Sequence, residues 1–230
     1  MALAVVPELQ INILFMKVNF NNFALLFIKV KYMEKHSIFF YIFVGIVLFF
    51  CLAIYYQSDA FNLKCIIASE DGNRYCVRER EKLELAANLL AKVTQKMKDM
   101  VAYLKQKHPE DPRTVRLVEG FDPKTISETL PTSELTAYSE NKGEKIAFCL
   151  NTTKEGNRLI DLNTLTFVAL HELSHVATES VGHKQDFWQN FKWILQNAKE
   201  AGIYDPVDYK ISPQEYCGMK INDNPFYDLT

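Results

Sequence analysis

The 230-residue sequence has no excess of either charge: 26 lysines and arginines face 28 aspartates and glutamates, for a net charge of −2. The first 56 residues hold Lys17, Lys29, Lys31 and Lys35 against Glu8 and Glu34, so the rest of the chain has 22 bases and 26 acids and carries −4. A mildly acidic body offers no basic stripe for gripping phosphates, and nucleic acid is not expected as a partner. Glycine and proline are scarce, eight of each, which excludes collagen-like and proline-rich disordered chains. The length suits one compact domain with additions. No two of the five cysteines form a Cys-x-x-Cys pair, so a four-thiolate metal site is disfavoured.

Charge is missing altogether from residues 38–56, IFFYIFVGIVLFFCLAIYY. Apolarity on every face of a helix of that length predicts a transmembrane anchor rather than a core helix, with Tyr55 and Tyr56 suited to the interface. A signal peptide would normally have a shorter apolar region, and no small-x-small cleavage site follows. Lys29, Lys31 and Lys35 precede the span and Gln57-Ser58-Asp59 follows it. The positive-inside bias then predicts a cytosolic amino end and a carboxyl part that is lumenal or extracellular. Residues 1–32 are apolar but broken by Lys17, Asn19, Asn21 and Asn22. Two readings of them are open: a start at Met33, or a second segment lying on the membrane surface. The expected organisation is an amino-terminal segment (1–37), an anchor (38–56) and a folded domain (57–230) with a core over 80–203 and a wrap over 204–230.

Cys51 falls in the expected span, leaving Cys65, Cys76, Cys149 and Cys217, an even number for an oxidising compartment. Cys65 and Cys76 flank Asp71-Gly72-Asn73, a hairpin turn signal, so a bridge across two strands is expected; elimination leaves Cys149 with Cys217. Four cysteines nevertheless allow three connectivities, and four reduced thiols are the alternative. Asn151-Thr152-Thr153 is a glycosylation triplet of a kind that is common by chance.

Over 82–108, Leu83, Ala86, Leu90, Val93, Met97, Met100 and Leu104 repeat at spacings of three and four. That stripe predicts a helix, packed on the domain rather than paired in a coiled coil, since it runs less than four heptads without a charge code beside it. A short helix is expected over 113–119, and strands over 135–139 and 145–150 joined by Glu140-Asn141-Lys142-Gly143-Glu144. The second strand reads as buried, or as an edge that an extended peptide could join. Asp161 or Asn163 can cap the next helix, Gly182 can end it, and a last helix over 186–200 precedes Gly202. The tail, with Pro206, Pro213 and Pro225, reads as an irregular wrap tied down by Cys217.

The capped helix contains His171-Glu172-Leu173-Ser174-His175. Histidines four apart project from one helix face and can share a metal, while Glu172, one position round, can reach a bound water without being a ligand. Three protein ligands leave zinc an open position for water. His183, after Gly182, is the leading third ligand. Glu179 sits one turn further along the axis, and Asp186 suits a helix cap or a partner orienting a ligand. Three of the five histidines thus stand at ligand spacing beside a carboxylate. The chemistry expected is Zn2+-dependent peptide hydrolysis with Glu172 as general base. Tyr209 and Tyr216 are candidates for stabilising the oxyanion. The alternative is a non-catalytic anchored binding protein with a structural zinc.

HELSH at 171–175 and GHKQDFW at 182–188 resemble the zincin metallopeptidases of the SprT-like and WLM-like group. That resemblance implies zinc on His171, His175 and His183, with Glu172 as base. It also implies an α+β fold, the minimal zincin core of a long helix, a small β-hairpin sheet, the metal helix and a packing helix, here behind an amino-terminal transmembrane helix. DGNRYCVRER at 71–80 and EYCGMKINDNPFYD at 215–228 are similar to uncharacterised membrane-anchored proteins of large DNA viruses and algae. Soluble members of the SprT-like and WLM-like group act on proteins attached to DNA. The anchor, the cysteine pairs and the acidic body speak against that substrate, leaving a protein or peptide outside the cytosol as the expected partner.

Overall fold

The computed structural model describes residues 38–57, 63–154 and 156–228, the side chains of Phe39, Tyr56 and Gln57 excepted. The expectations for residues 1–37, including a start at Met33, lie outside the described residues. The chain divides into two compact units, Met1–Ser58 and Asp59–Thr230. In the first, α1 (Ile38–Gln57) is twenty residues long without a charge. Its large apolar side chains are exposed, Phe43, Phe49 and Ile54 each by more than 60%. No helix among the described residues is long and apolar enough to cross a membrane.

The second unit is a mixed α+β fold. It opens on an antiparallel hairpin, β1 (Leu63–Ile67) and β2 (Arg74–Arg78), in which Cys65 lies directly opposite Cys76 and is bonded to it. The turn forms because the Asp71 carboxylate accepts from both the backbone N–H and the side-chain amide of Asn73, and Gly72 takes φ +72°. The apolar stripe then produces α2 (Leu83–Lys107), with Ala86, Leu90, Val93, Met97, Met100 and Leu104 buried. Its face packs on the domain core, as a packing helix should.

Asp111 caps α3 (Pro112–Gly120) by accepting from the Arg113 N–H, with Pro112 where no N–H is needed. Three strands follow, β3 (Ile126–Glu128), β4 (Ala137–Glu140) and β5 (Lys145–Phe148), in the order β3-β5-β4. The β4–β5 hairpin is antiparallel, closing at Glu140 opposite Lys145. β3 adds parallel to β5; three residues of Ile-Ser-Glu are too short to show alternation, and the sequence alone predicts no strand there. β5 is central and buried, and β4 is an edge.

Asp161 caps α4 (Leu162–Ala177) by accepting from the Thr164 N–H at 2.8 Å, while Asn163 bonds the backbone of Asp205 instead. α4 is buried on almost every face, from Thr164 to Ala177. The helix does not run to Gly182 as expected. It stops at Ala177, with Thr178 extended, and Gly182 provides its positive φ (+84°) within the loop beyond. α5 (Gln185–Glu200) packs across α4, and Gly202 (φ +68°) turns the chain out of it with its N–H on the Lys199 carbonyl.

The tail is more regular than an irregular wrap. β6 (Gln214–Tyr216) and β7 (Met219–Ile221) pair through the two-residue turn Cys217-Gly218, both at positive φ. Cys217 is bonded to Cys149, just past β5, and the N–H groups of Cys217 and Gly218 donate to the carbonyls of Asn151 and Thr152. Asn151 itself is 3% exposed, accepts from Arg80 and donates to the Gly156 carbonyl. In the folded chain the glycosylation triplet is therefore closed to modification.

Candidate metal centre

The face of α4 that carries Phe167, His171 and His175 at successive spacings of four meets Phe187 and Phe191, also four apart, from α5. Phe187 is fully buried, and its ring centroid lies 4.8, 4.3 and 4.6 Å from those of His171, His175 and His183. It stacks on His175 and meets the other two edge-on, so one phenyl ring orients all three imidazoles. Replacing Phe187 by Leu keeps the site filled but removes these ring contacts. We expect a loss of about 1–1.5 kcal/mol of stability, read by urea unfolding, together with weaker metal binding.

His183 arrives from the loop between α4 and α5. The Trp188 indole donates to the His183 carbonyl at 3.1 Å, the Ser180 hydroxyl donates to Asp186 at 2.8 Å, and the Asn190 amide donates to the Thr178 hydroxyl at 2.9 Å. Together these bonds curve the loop back over the metal face. Of the candidate third ligands, His183 joins the group. Glu179 is exposed and Asp186 is committed to Ser180 at the first turn of α5.

One ring nitrogen from each of His171, His175 and His183 lies within 4.8 Å of the others, and the Nε2 atoms of His171 and His183 are 2.9 Å apart. Nitrogens bound to one tetrahedral zinc at 2.0–2.1 Å stand about 3.3 Å apart, so the cluster fits an ion after adjustments of about an ångström. Desolvation, followed by the neighbouring imidazoles, lowers the pKa of His171 well below its ordinary range. Burial likewise lowers His183 and takes His175 down to about 3. All three are neutral imidazoles at physiological pH, the form that binds a metal. Among the described residues no fourth His, Cys, Asp or Glu completes this group.

Glu172 is 4% exposed, and burial pushes its carboxyl up to about 8. A carboxyl held in that range is matched to proton transfer near neutral pH, and a cation bound alongside would favour its ionised form. Tyr216 is fixed elsewhere: its phenol donates to the Thr136 carbonyl at 3.0 Å. Burial, with a contribution from the charge of Glu172, drives its pKa well above the ordinary value. Tyr209 is fully buried with its ring edge-on to Phe167, centroids 4.9 Å apart.

Sequence reasoning named Phe187 and Trp188 only within the GHKQDFW stretch, without a role, and gave Lys142 no role at the site. Phe187 and Trp188 carried a signal in their closeness to His183 along the chain. Lys142 carried none.

The WLM domain family matches residues 75–220. An uncharacterised protein of Acanthamoeba polyphaga mimivirus is 28% identical over 183 residues, covering 78% of this chain and 91% of the relative. Uncharacterised proteins of invertebrate iridescent viruses 6 and 3 are 37% and 36% identical over 82 and 83 residues. Those two matches cover 35% and 36% of this chain, and 44% and 50% of the relatives. No solved structure matches the chain.

Proposed function

The chain belongs to the WLM domain family, a metallopeptidase-like family, and from that premise we propose that it is a membrane-anchored zinc metalloendopeptidase. One observation carries the reading: three neutral imidazoles converge, two of them from α4, the helix that also bears the buried carboxyl of Glu172. Structural zinc sites are closed by four protein ligands, whereas three leave a position for water, which favours catalysis over a structural zinc. His171, His175 and His183 would hold a zinc ion, which would supply Lewis acidity for peptide hydrolysis. Glu172 would accept a proton from the attacking water and return it to the leaving amine. β4 is an edge of its sheet with backbone groups that an extended peptide could pair with, which supports a protein or peptide strand as the substrate.

The proposed location rests on the sequence: residues 38–56 carry no charge, and the lysines before them favour a cytosolic amino end, which supports a lumenal or extracellular second unit. The two disulfides, Cys65–Cys76 and Cys149–Cys217, suit such an oxidising compartment.

Metal analysis of the full chain is expected to give one zinc per molecule, and chelation is expected to abolish cleavage of a peptide library. His183→Ala should weaken zinc binding at least tenfold. Undiminished affinity in that variant would remove His183 from the ligand set, and zinc without cleavage of any peptide would leave a binding protein.

A further inference from the structure

The last carbonyls of a helix find no partner within it. At the end of α4 they are met from outside by two cations on different elements. Arg116 of α3 donates from Nε to the Ala177 carbonyl at 2.6 Å. Lys142 reaches further along the chain: its Nζ donates to the carbonyls of Thr178 at 2.6 Å and Ser180 at 2.8 Å, and more loosely to that of His175 at 3.4 Å. An ammonium with three donors is thus matched by three carbonyls. Two of them belong to the loop that delivers His183.

The base of Lys142 is held as firmly as its tip. It lies in the β4–β5 turn, where Asn141, Lys142 and Gly143 all take positive φ, at 45°, 58° and 108°. A lysine rarely adopts that conformation unless its surroundings impose it. Here the turn is pressed against the end of α3. A Cβ on Gly120 would lie 2.5 Å from the Lys142 carbonyl oxygen, and one on Gly143 would lie 2.4 Å from that of Gly120. Backbone packed on backbone therefore fixes where the side chain starts. The α5 side of the loop is held by Asp186, Trp188 and Asn190, and Lys142 holds it from the sheet side.

We propose that Lys142 is a positioning residue for the metal centre, setting the path of residues 178–183 and so the place of His183. The proposal rests on the metal reading of the three histidines. It also joins the β4–β5 turn, at the end of the strand edge assigned to substrate, to the loop that leads to His183. The competing account is that Lys142 only caps a helix. Arg116 provides the control, because it caps the same helix end at Ala177 without bonding the loop.

The test is titration of the metal-free full chain in detergent with Co2+, whose visible absorption reports coordination geometry. Lys142→Met is expected to bind Co2+ at least tenfold more weakly, with altered band intensity, because outer partners of a ligand typically contribute 10–100-fold to affinity. Arg116→Met is expected to lose thermal stability but keep the wild-type spectrum and affinity. A wild-type spectrum and affinity in Lys142→Met, or the same spectral change in Arg116→Met, overturns the positioning role and leaves the metal site standing. Wild-type protein that binds no Co2+ overturns both. If circular dichroism shows Lys142→Met to be unfolded, Lys142→Gln, which retains an amide donor, is read by the same criteria.

Discussion

Glu172→Gln is expected to keep its metal and to lose peptide hydrolysis by a factor of about 10² to 10⁴, the range that a positioned general base contributes. The amide has nearly the shape of the carboxyl, so the packing of α4 and the three imidazoles survives, but it cannot accept a proton from water. The variant also has a signature that does not depend on a substrate. In the metal-free protein Glu172 is raised from 4.5 to about 8 by burial. The stability linked to its proton is therefore full below pH 4.5 and is lost as pH rises towards 8, at up to about 1.4 kcal/mol per unit. The histidines act in the opposite sense. Their folded values lie below 6.5, so their contribution is present above pH 6.5 and is lost as pH falls, towards about 3 for His175. Metal-free wild type should be most stable near pH 6.5, and Glu172→Gln should lose the decline between 6.5 and 8. Parallel melting curves for the two proteins across that window, or equal cleavage rates when loaded with zinc, would sink the assignment of Glu172 as the buried base.

The features that were legible before the fold was known are those whose cause is local. Leu83 to Leu104 repeat at helical spacing because one face must be buried, and that face is buried. Asp71-Gly72-Asn73 between two cysteines gives the hairpin and the Cys65–Cys76 bond, since turn chemistry and register are settled within a dozen residues. The spacing of His171 and His175 needs only the geometry of a helix. What was not legible depends on partners distant in sequence. β3 exists because β5 gives it a parallel neighbour, not because Ile126, Ser127 and Glu128 form a pattern. The end of α4 was misplaced because Gly182 is the glycine a helix terminus usually needs, whereas Lys142 and Arg116 supply the terminating contacts from 36 and 61 residues away. The tail reads as proline-broken coil, yet Cys217-Gly218 is a two-residue hairpin turn whose N–H groups are satisfied by Asn151 and Thr152. For the site, the sequence supplies the coordinating atoms, and tertiary packing supplies their orientation through Phe187, Trp188 and Lys142.

Replacing both Cys149 and Cys217 by serine is expected to cost about 4 kcal/mol, the larger of the two disulfide effects. The bond closes a loop 68 residues apart in sequence against 11 for Cys65–Cys76. The chain-entropy relation gives about 4.4 kcal/mol for the first and about 2.8 kcal/mol for the second. The longer loop contains β5's exit, all of α4 and α5 and the first strand of the tail hairpin, so its closure restrains the elements that carry the three histidines and Glu172. Its loss should also act on the site's surroundings. Tyr216, next to Cys217, donates to the Thr136 carbonyl at 3.0 Å, and the Thr136 hydroxyl donates to the Met219 sulfur at 3.2 Å. These bonds tie the tail hairpin to the residue just before β4. Without the covalent link, β6 and β7 are held by their own pairing, a few hydrogen bonds to Thr136, Asn151 and Thr152 and buried Tyr216, and amides of residues 214–221 should exchange with solvent faster than those of α4. Reduction of the native protein, which also breaks Cys65–Cys76, should lower the unfolding midpoint further than the serine variant and give the same fast exchange over 214–221. A midpoint loss no greater than that of the Cys65→Ser/Cys76→Ser pair, with the tail still protected, would show that packing rather than the disulfide holds the tail to the core.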